Sequence, residues 1–239
     1  MRAMFTMMNN ARLGVGGQGI GVAEGAYQHA LDYAKGRVQG KSSITNGSGT
    51  ILDHADVRRM LTTMKADIYA ARAIALANAV AIDMANATSD PDWESRAALL
   101  TPITKAFGTE VGIDVSNLGV QVHGGMGYIE ETGAAQYSRD ARVTAIYEGT
   151  NGIQSMDLVG RKLMDGGKAV QFLLDEISGI TKTSTKFEPE LANLLWKAIQ
   201  SLRETTDWML SQTDLNQRFA GAVPYLRAFA RVLGGYYHL

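Results

Sequence analysis

Glu148 is the residue of this sequence whose surroundings most strongly suggest chemistry. Gly149, Thr150 and Gly152 follow it in the stretch AIYEGTNGIQ, residues 145–154. An acid, a hydroxyl and glycines at the start of a helix direct a carboxylate and backbone N–H groups towards whatever binds there. The alternative is that Glu148 only complements the positive end of the helix dipole. Taken alone, these residues favour the second, purely structural interpretation.

Other kinds of catalytic site have little support. The sequence has no cysteine, which excludes disulfides, thiolate metal sites and cysteine nucleophiles. There is no Gly-x-Ser-x-Gly nucleophile motif. The four histidines form no His-x-x-His or Glu-x-x-His pair, so we expect no metal site. They are His29, His54, His123 and His238.

The composition describes a globular protein without a polyanion partner. Of the 239 residues, 46% are hydrophobic, and 23 basic and 24 acidic residues give a net charge of -1. No long run of one charge is present, so neither nucleic acid nor an anionic membrane is an expected partner. The first residues, MRAMFTMMNNARLG, lack the layout of a signal peptide. We therefore expect a cytoplasmic protein.

The spacing of apolar residues predicts an all-α fold. Apolar side chains recur every three or four residues, and the sequence has only 4 prolines. Long helices are expected near 4–36, 54–87 and 93–123, with Asp53 and Asp92 as candidate caps of the second and third. The glycines of LGVGGQGIGVAEG in the first helix favour close helix packing over a phosphate loop, because no strand precedes them.

The second half of the chain is predicted to contain an irregular segment followed by further helices. An irregular segment is expected after the glycines at 124 and 125, and a further helix begins near Thr150. The tail from about residue 188 is predicted to form two helices, separated near SQTDLN or GAVP. The first helix has no N-cap, and the last residues have no polar stop signal. We therefore expect the chain to be part of a longer protein.

Three segments, in this order and at this spacing, resemble the C-terminal helical domain of the acyl-CoA dehydrogenase family. They are AKGRVQGKS around Arg37, GVQVHGGMGYIEE around Gln121, and RDARVTAIYEGTNGIQ around Glu148. The stretch YEGTNGIQ is the most specific. FTMMNNARLGVGGQGIGVAEGAYQHALDYAKGR and HADVRRML resemble the large branch that includes 3-methylmercaptopropionyl-CoA dehydrogenases. The resemblance implies a four-helix bundle domain over residues 1–162 and a helical extension over residues 163–239.

The resemblance also implies a reaction. Glu148 corresponds to the family's catalytic base, which removes the α-proton of an acyl-CoA thioester while hydride leaves the β carbon for N5 of FAD. Some family members carry the base just before the arginine that corresponds to Arg12, but Ala11 occupies that position here. Tyr147 and Gly149 are expected on the substrate side, although packing is the simpler interpretation of Tyr147.

Contacts with the FAD cofactor are implied for six residues. Thr150 and Gln154 are expected near the flavin, and the other four near the ADP part of a flavin held mainly by a neighbouring subunit: Arg37, Gln121, Gly124 and Gly125. The sequence departs from the family on the adenine side. RVQGK follows Arg37 where an aromatic residue and a glycine are common, and His54 and Ala55 replace a common glutamine.

The resemblance implies partners as well. These are the acyl-CoA substrate, an electron-transfer flavoprotein as electron acceptor, and further copies of the chain in a dimer or tetramer. The family's N-terminal helical domain and middle β domain are absent from this sequence, so the chain alone is expected to be inactive. Two alternatives remain open: an acyl-CoA oxidase, and a helical interaction module that has lost the chemistry.

Overall fold

The all-α prediction is confirmed over the residues that the structure describes. The computed structural model describes residues 2–42, 44 and 46–239, with side chains from residue 7 onward, and these ranges contain no β-strand. The α-helices are α1 (Arg2–Gly36), α2 (Ala55–Thr88), α3 (Pro91–His123), α4 (Gly125–Tyr128), α5 (Ala134–Thr144), α6 (Asn151–Asp157), α7 (Lys168–Ser184), α8 (Pro189–Ser211), α9 (Leu215–Ala220) and α10 (Ala222–Tyr237).

Three long helices form the centre of the fold. Their observed bounds agree with the predicted ranges to within two residues. Helix α3 packs against α1 along much of its length and against α2, and the shorter α5 and α6 cover its remaining sides. The expected four-helix bundle therefore consists of three long helices and a fourth layer of short ones.

Glycines allow α1 and α3 to approach backbone to backbone. A Cβ atom at Gly19 would lie 2.4 Å from the carbonyl oxygen of Gly108, and a Cβ atom at Gly108 would lie 2.7 Å from that of Gly16. Such distances are incompatible with any side chain at these positions. The glycines of the first helix therefore serve close packing, as the sequence predicts.

Three helices before the tail were missed by the sequence prediction. The short α4 and helix α5 lie in the segment expected to be irregular, and α7 lies between the predicted fourth helix and the predicted tail. The stretch AAQYSRDARVT of α5 is mostly polar, and its buried residues are small: Ala134, Ala141 and Thr144. Such a helix contains few large apolar residues that could mark it in the sequence, and it is stabilised by contacts with α1 and α3.

Both predicted helix caps need correction. Asp53 does not cap α2, because its carboxylate accepts hydrogen bonds from Gly49 N at 2.7 Å and Ser48 Oγ at 3.1 Å and so closes the preceding loop. Asp90, not Asp92, caps α3: its Oδ1 accepts from the backbone N of Asp92 at 2.9 Å. Pro at the first helical position suits this arrangement, since it lacks the N–H that a cap would satisfy.

The tail contains three helices after residue 188 rather than two, because the chain turns both near SQTDLN and at Gly221. Helix α10 packs on α2, α3 and α8. Its Tyr225 is buried, and the hydroxyl lies 2.9 Å from Thr206 Oγ1 on α8.

Core residues of the tail and of the bundle form one hydrophobic cluster. The division at residues 162 and 163 stays a prediction.

Helix α2 is long and apolar enough, by length and composition, to cross a membrane. An 18-residue window in it has a mean hydropathy of 1.4. Core helices of soluble proteins also reach this value, and α2 packs against α1, α3 and α10 within the described fold. The expectation that no membrane is a partner stays a prediction.

Candidate active site

The candidate base lies on a tight turn between α5 and α6. Helix α5 ends at Thr144, and Glu148 follows with φ = 55°, in the left-handed region that residues with a side chain rarely adopt. Gly149 continues the turn with φ = 83°. Two successive left-handed residues reverse the chain abruptly, and only the second of them is a glycine.

Side chains from the start of α6 hold this turn. Gln154 is fully buried, and its Nε2 donates to the backbone carbonyls of Glu148 at 3.2 Å and Gly149 at 3.3 Å. Thr150 is the N-cap, with Oγ1 accepting from Ile153 N at 3.2 Å. The helix predicted to begin near Thr150 is therefore present, and the unusual backbone of Glu148 is fixed by hydrogen bonds rather than left mobile.

The carboxylate of Glu148 has no hydrogen-bond or salt-bridge partner among the residues whose side chains are described. The residue is half-buried. The side chain of the adjacent Tyr147, by contrast, has a partner, because its hydroxyl donates a hydrogen bond to Gln18 Oε1 on α1. Glu148 therefore combines a fixed backbone with a carboxylate free to accept a proton.

A buried lysine lies beneath the turn. Lys105 on α3 has no exposed surface, and its Nζ donates to Asn151 Oδ1 at 3.0 Å. Burial lowers the pKa of Lys105 to about 8; the positive charge of Arg12 acts in the same direction, and the negative charge of Glu148 opposes it. Lys105 and Glu148 therefore interact electrostatically.

A second buried charge pair lies at the C-terminal end of α6. The guanidinium of Arg12 lies 3.5 Å from Asp157 Oδ2, and both side chains are more than nine-tenths buried. Arg161 also contacts Asp157, at 2.5 Å, from the π-helical segment Leu158–Lys162 that follows α6. This network anchors α6 to α1, so both ends of the helix behind Glu148 are fixed by polar contacts.

The surface around Glu148 is apolar. Large hydrophobic side chains on α5, the turn and α6 are between about a third and a half exposed: Val143, Ile146, Tyr147, Ile153 and Met156. An exposed apolar area next to a free carboxylate suits contact with a hydrophobic ligand or with another protein surface.

A second cluster lies at the other end of the bundle. A cavity of about 380 Å³ is lined by Arg37 after α1 and by His123, Gly124 and Gly125 at the junction of α3 and α4. Gly124 has φ = 62° and ψ = -136°, a conformation open to glycine only, which exposes the backbone at the cavity. Gln121 is exposed on the last turn of α3, but its side chain does not line the cavity.

His123 gives this cavity a polar group that the sequence prediction missed. Its ring is stacked on Tyr33 with centroids 4.3 Å apart, and Nδ1 donates to the carbonyl of Gly119 at 2.7 Å. Its Nε2 is buried and has no hydrogen-bond partner within the described part of the chain. Burial lowers the pKa of His123, although the bond to Gly119 acts in the opposite direction. The ring is therefore neutral, with Nε2 an acceptor.

The two clusters are far apart. Lys105, beneath Glu148, and His123, at the cavity, are separated by about 27 Å along α3 at 1.5 Å per residue. The structure thus brings together Glu148, Gly149, Thr150 and Gln154 at one end, and Arg37, Gly124 and Gly125 at the other.

Comparison with known proteins identifies the family. Residues 1–164 match the sequence profile described as "Acyl-CoA dehydrogenase, C-terminal domain". The chain belongs to the acyl-CoA dehydrogenase family. Residues 173–239 match a second profile, "Acetyl-CoA dehydrogenase C-terminal like". The family resemblance deduced from YEGTNGIQ and the segments before it is confirmed.

Relatives of this acyl-CoA dehydrogenase domain agree with this assignment. The 3-methylmercaptopropionyl-CoA dehydrogenase of Ruegeria pomeroyi is 40% identical over 99% of this chain and 42% of that relative. Caenorhabditis elegans ACDH-11, solved in complex with C11-CoA, has a TM-score of 0.79 at 22% identity, covering 97% of this chain and 39% of that one. The Bacillus anthracis acyl-CoA dehydrogenase complexed with FAD has a TM-score of 0.67 at 21% identity, covering 97% and 41%.

The chain matches only part of each of these relatives. The two solved structures, at such low identity, show that the acyl-CoA dehydrogenase fold is shared. The chain spans about two fifths of the length of these relatives.

The sequence prediction missed the residues that support Glu148 from other helices. Lys105 and Asn151 meet across 46 positions of sequence. A signal was nonetheless present: Lys105 is the one cation in TPITKAFGTEVG, a stretch of α3 in which almost every residue is buried. A lysine inside a buried apolar stretch is uncommon unless it has a partner, and this could have marked it as a candidate.

Proposed function

We propose that this chain is the C-terminal helical part of an FAD-dependent acyl-CoA dehydrogenase that oxidises an acyl-CoA thioester between its α and β carbons. The observation that carries the proposal is the Glu148 carboxylate, which has no partner among the described side chains and lies on a turn fixed by Gln154. Membership of the family supports the reaction class, and the name of the Ruegeria relative describes a reaction of the same type.

Glu148 is the base that accepts the α-proton. A thioester α-proton is weakly acidic, so its removal requires a site that excludes water and donates hydrogen bonds to the thioester carbonyl, where negative charge develops. When bound, FAD supplies N5 as the acceptor for the hydride that leaves the β carbon. The substrate thus loses one proton and one hydride and becomes a 2-enoyl thioester.

The neighbouring residues of the turn have supporting roles in this proposal. Tyr147 and Gly149 contact the substrate, and Thr150 and Gln154 lie near the flavin. Gln154 is suited to this role, because its Nε2 is engaged by the turn while its buried Oε1 has no partner in the described residues. The exposed apolar side chains around Glu148 are suited to an acyl chain and to the other domains of a longer enzyme.

The cavity at the other end of the bundle fits the ADP part of FAD. Arg37 offers a guanidinium, which binds diphosphate oxygens well, and the glycine turn at 124 and 125 lets backbone N–H groups approach closely. No neighbouring atom lies within 4 Å of a Cβ placed at Gly124 or Gly125, so space for a ligand exists there. Gln121 contributes from the rim, and the neutral His123 ring can accept a hydrogen bond.

The separation of the two clusters favours a homo-oligomer. Because Glu148 and Arg37 lie at opposite ends of the bundle, we assign the ADP group at Arg37 to a flavin whose reactive end lies at the Glu148 site of another copy. We therefore propose a dimer or tetramer, which light scattering on the flavin-loaded protein would detect. An active monomer that retains its flavin would contradict this arrangement.

Three further assignments belong to the same proposal. An electron-transfer flavoprotein reoxidises the reduced flavin, the enzyme acts in the cytoplasm, and residues 1–162 form the catalytic bundle while residues 163–239 extend it. The proposal is tested by purifying the full-length protein and recording its flavin spectrum while acyl-CoA thioesters of different chain length are added anaerobically. Bleaching of the flavin absorbance by at least one of them is expected, and a flavin that no acyl-CoA reduces would contradict the proposed activity.

A further inference from the structure

Lys105 is a buried charge that the proposed reaction does not use. A lysine without exposed surface is costly to fold unless its ammonium is hydrogen-bonded and lies near a negative charge. Its Nζ has one hydrogen-bond acceptor among the described residues, Asn151 Oδ1. Retaining such a group in the centre of α3 calls for a specific role.

Asn151 connects this lysine to the turn of Glu148. Its Oδ1 accepts from both Lys105 Nζ and Thr109 Oγ1, the latter at 3.1 Å, and its Nδ2 donates to the carbonyl of Ala106 at 3.2 Å. Its backbone N donates to the carbonyl of Ala145 at 3.2 Å, across the turn. Asn151 is thus fixed to α3 by its side chain and closes residues 145–151 by its backbone.

The charges around Lys105 come from two elements. Arg12 on α1 is a like charge, and Glu148 on the turn is an opposite charge; both contribute to the electrostatic environment of Lys105. Arg12 is paired with Asp157, whereas Glu148 has no salt bridge among the described residues. The negative charge that favours the Lys105 ammonium is therefore one that no described salt bridge neutralises.

We propose that Lys105 is a positioning residue for Glu148: its buried ammonium holds Asn151, and Asn151 closes the turn on which the Glu148 carboxylate lies. This inference rests on the proposed function of Glu148 as the base. It assigns no proton transfer to Lys105 itself.

The test is flavin reduction by acyl-CoA in the full-length protein, measured together with acyl-CoA binding. Lys105→Met removes the hydrogen bond that holds Asn151, so the turn no longer fixes the Glu148 carboxylate, and the rate at saturating acyl-CoA should fall by roughly ten- to a hundredfold. Acyl-CoA binding should change little, because Lys105 has no exposed surface. Lys105→Arg keeps a charged donor and should recover part of the rate.

Lys162→Met is the matched control. Lys162 is also a lysine whose pKa burial lowers, but the opposing charge near it is Asp157 rather than Glu148. Its replacement should leave the rate of flavin reduction unchanged. If Lys105→Met lowers the thermal midpoint of unfolding but keeps the parent reduction rate, Lys105 is only structural and the inference is overturned.

A second measurement does not depend on activity. In lysine-selective NMR of the chain, the Lys105 ammonium should titrate near pH 8, and Glu148→Gln should lower this midpoint, because the negative charge of Glu148 raises the pKa of Lys105. An unchanged midpoint overturns the inference even if Lys105→Met fails to fold. A parent flavin that no acyl-CoA reduces would instead refute the proposed function, while this titration still tests the coupling of the two residues.

Discussion

Gln154, which lies one helical turn after the start of α6, holds the backbone of Glu148 by a side-chain hydrogen bond. Its Nε2 lies 3.2 Å from the Glu148 carbonyl oxygen and 3.3 Å from that of Gly149, so one side-chain amide stabilises both left-handed residues. The cost of a left-handed residue with a side chain is of order 1–3 kcal/mol, which persists only where surrounding contacts fix it. Gln154 provides two such contacts.

Replacing Gln154 by Met should therefore loosen the turn. The two carbonyls lose their donor, and the free energy of unfolding should fall by about 1–3 kcal/mol, measured by urea denaturation of the chain. Gln28→Met is the control, since Gln28 is exposed and its one side-chain hydrogen bond among the described residues goes to Glu24, which keeps its salt bridge with Arg72. It should change stability by less than about 0.5 kcal/mol. Equal effects of the two substitutions would show that Gln154 does not hold the turn.

The contact of α1 with α3 predicts opposite effects for two glycines in the first helix. Gly19→Ala places a methyl group against the α3 backbone, with Cβ 2.4 Å from the carbonyl oxygen of Gly108, and should destabilise the fold by about 1–3 kcal/mol or more. Gly17→Ala meets no atom within 4 Å and should stabilise the helix by about 0.5–1 kcal/mol. Thermal unfolding followed by circular dichroism distinguishes them, and a neutral Gly19→Ala would argue against this close packing.

His123 predicts a loss of stability in mild acid. Burial holds the pKa of His123 below its ordinary value of 6.5, so the unfolded chain binds the proton more tightly than the folded chain. Its contribution to stability is present above pH 6.5 and is lost as the pH falls below it, with a slope of at most about 1.36 kcal/mol per pH unit. His123→Phe should flatten this part of the curve of unfolding free energy against pH.

The control for this effect is His54→Gln, because the ring of His54 is at the surface and bonds to the carbonyl of Gln39. In the His54→Gln variant, the free energy of unfolding should fall between pH 7 and pH 5 as it does in the parent. If His123→Phe and the parent lose stability equally between pH 7 and pH 5, the buried ring is not the source of the effect.

The chain of residues 1–239 alone should fold without acting as an enzyme. It spans about two fifths of its relatives, and the apolar surface beside Glu148 remains exposed in it. Purified by itself, it should be helical by circular dichroism, colourless, and unable to oxidise acyl-CoA. A yellow preparation with one FAD per chain would contradict this expectation.

The long helices were predictable because local sequence determines them. Helices α1, α2 and α3 are long stretches rich in apolar and small residues, and the glycines facing α3 indicated close packing before the partner was known. Helix α5 was not predictable in this way. Its polar stretch forms a helix because small residues pack against two neighbours, and that depends on tertiary contacts.

The same distinction applies to the candidate site: features carried by a contiguous motif were predictable, and features that depend on helix packing were not. The motif around Glu148 was recognised from a contiguous stretch, and so was the glycine turn near Arg37. The contact between Lys105 and Asn151, the buried pair of Arg12 and Asp157, and the distance between the two clusters depend on how separate helices cross. A resemblance carried by short motifs points to a candidate reacting residue but not to the side chains that hold it.

The role of Glu148 as the base is tested most directly by stopped-flow measurement of flavin reduction in the full-length Glu148→Gln variant. The amide keeps the shape of the side chain but cannot accept the α-proton, so flavin and acyl-CoA should still bind while reduction slows by at least ~10²-fold. Glu94→Gln is the control, since Glu94 is an exposed charge in the first turn of α3, where a helix-end carboxylate contributes only about 0.3–1 kcal/mol of stability. Reduction as fast in Glu148→Gln as in the parent would show that Glu148, like Glu94, serves only the helix end.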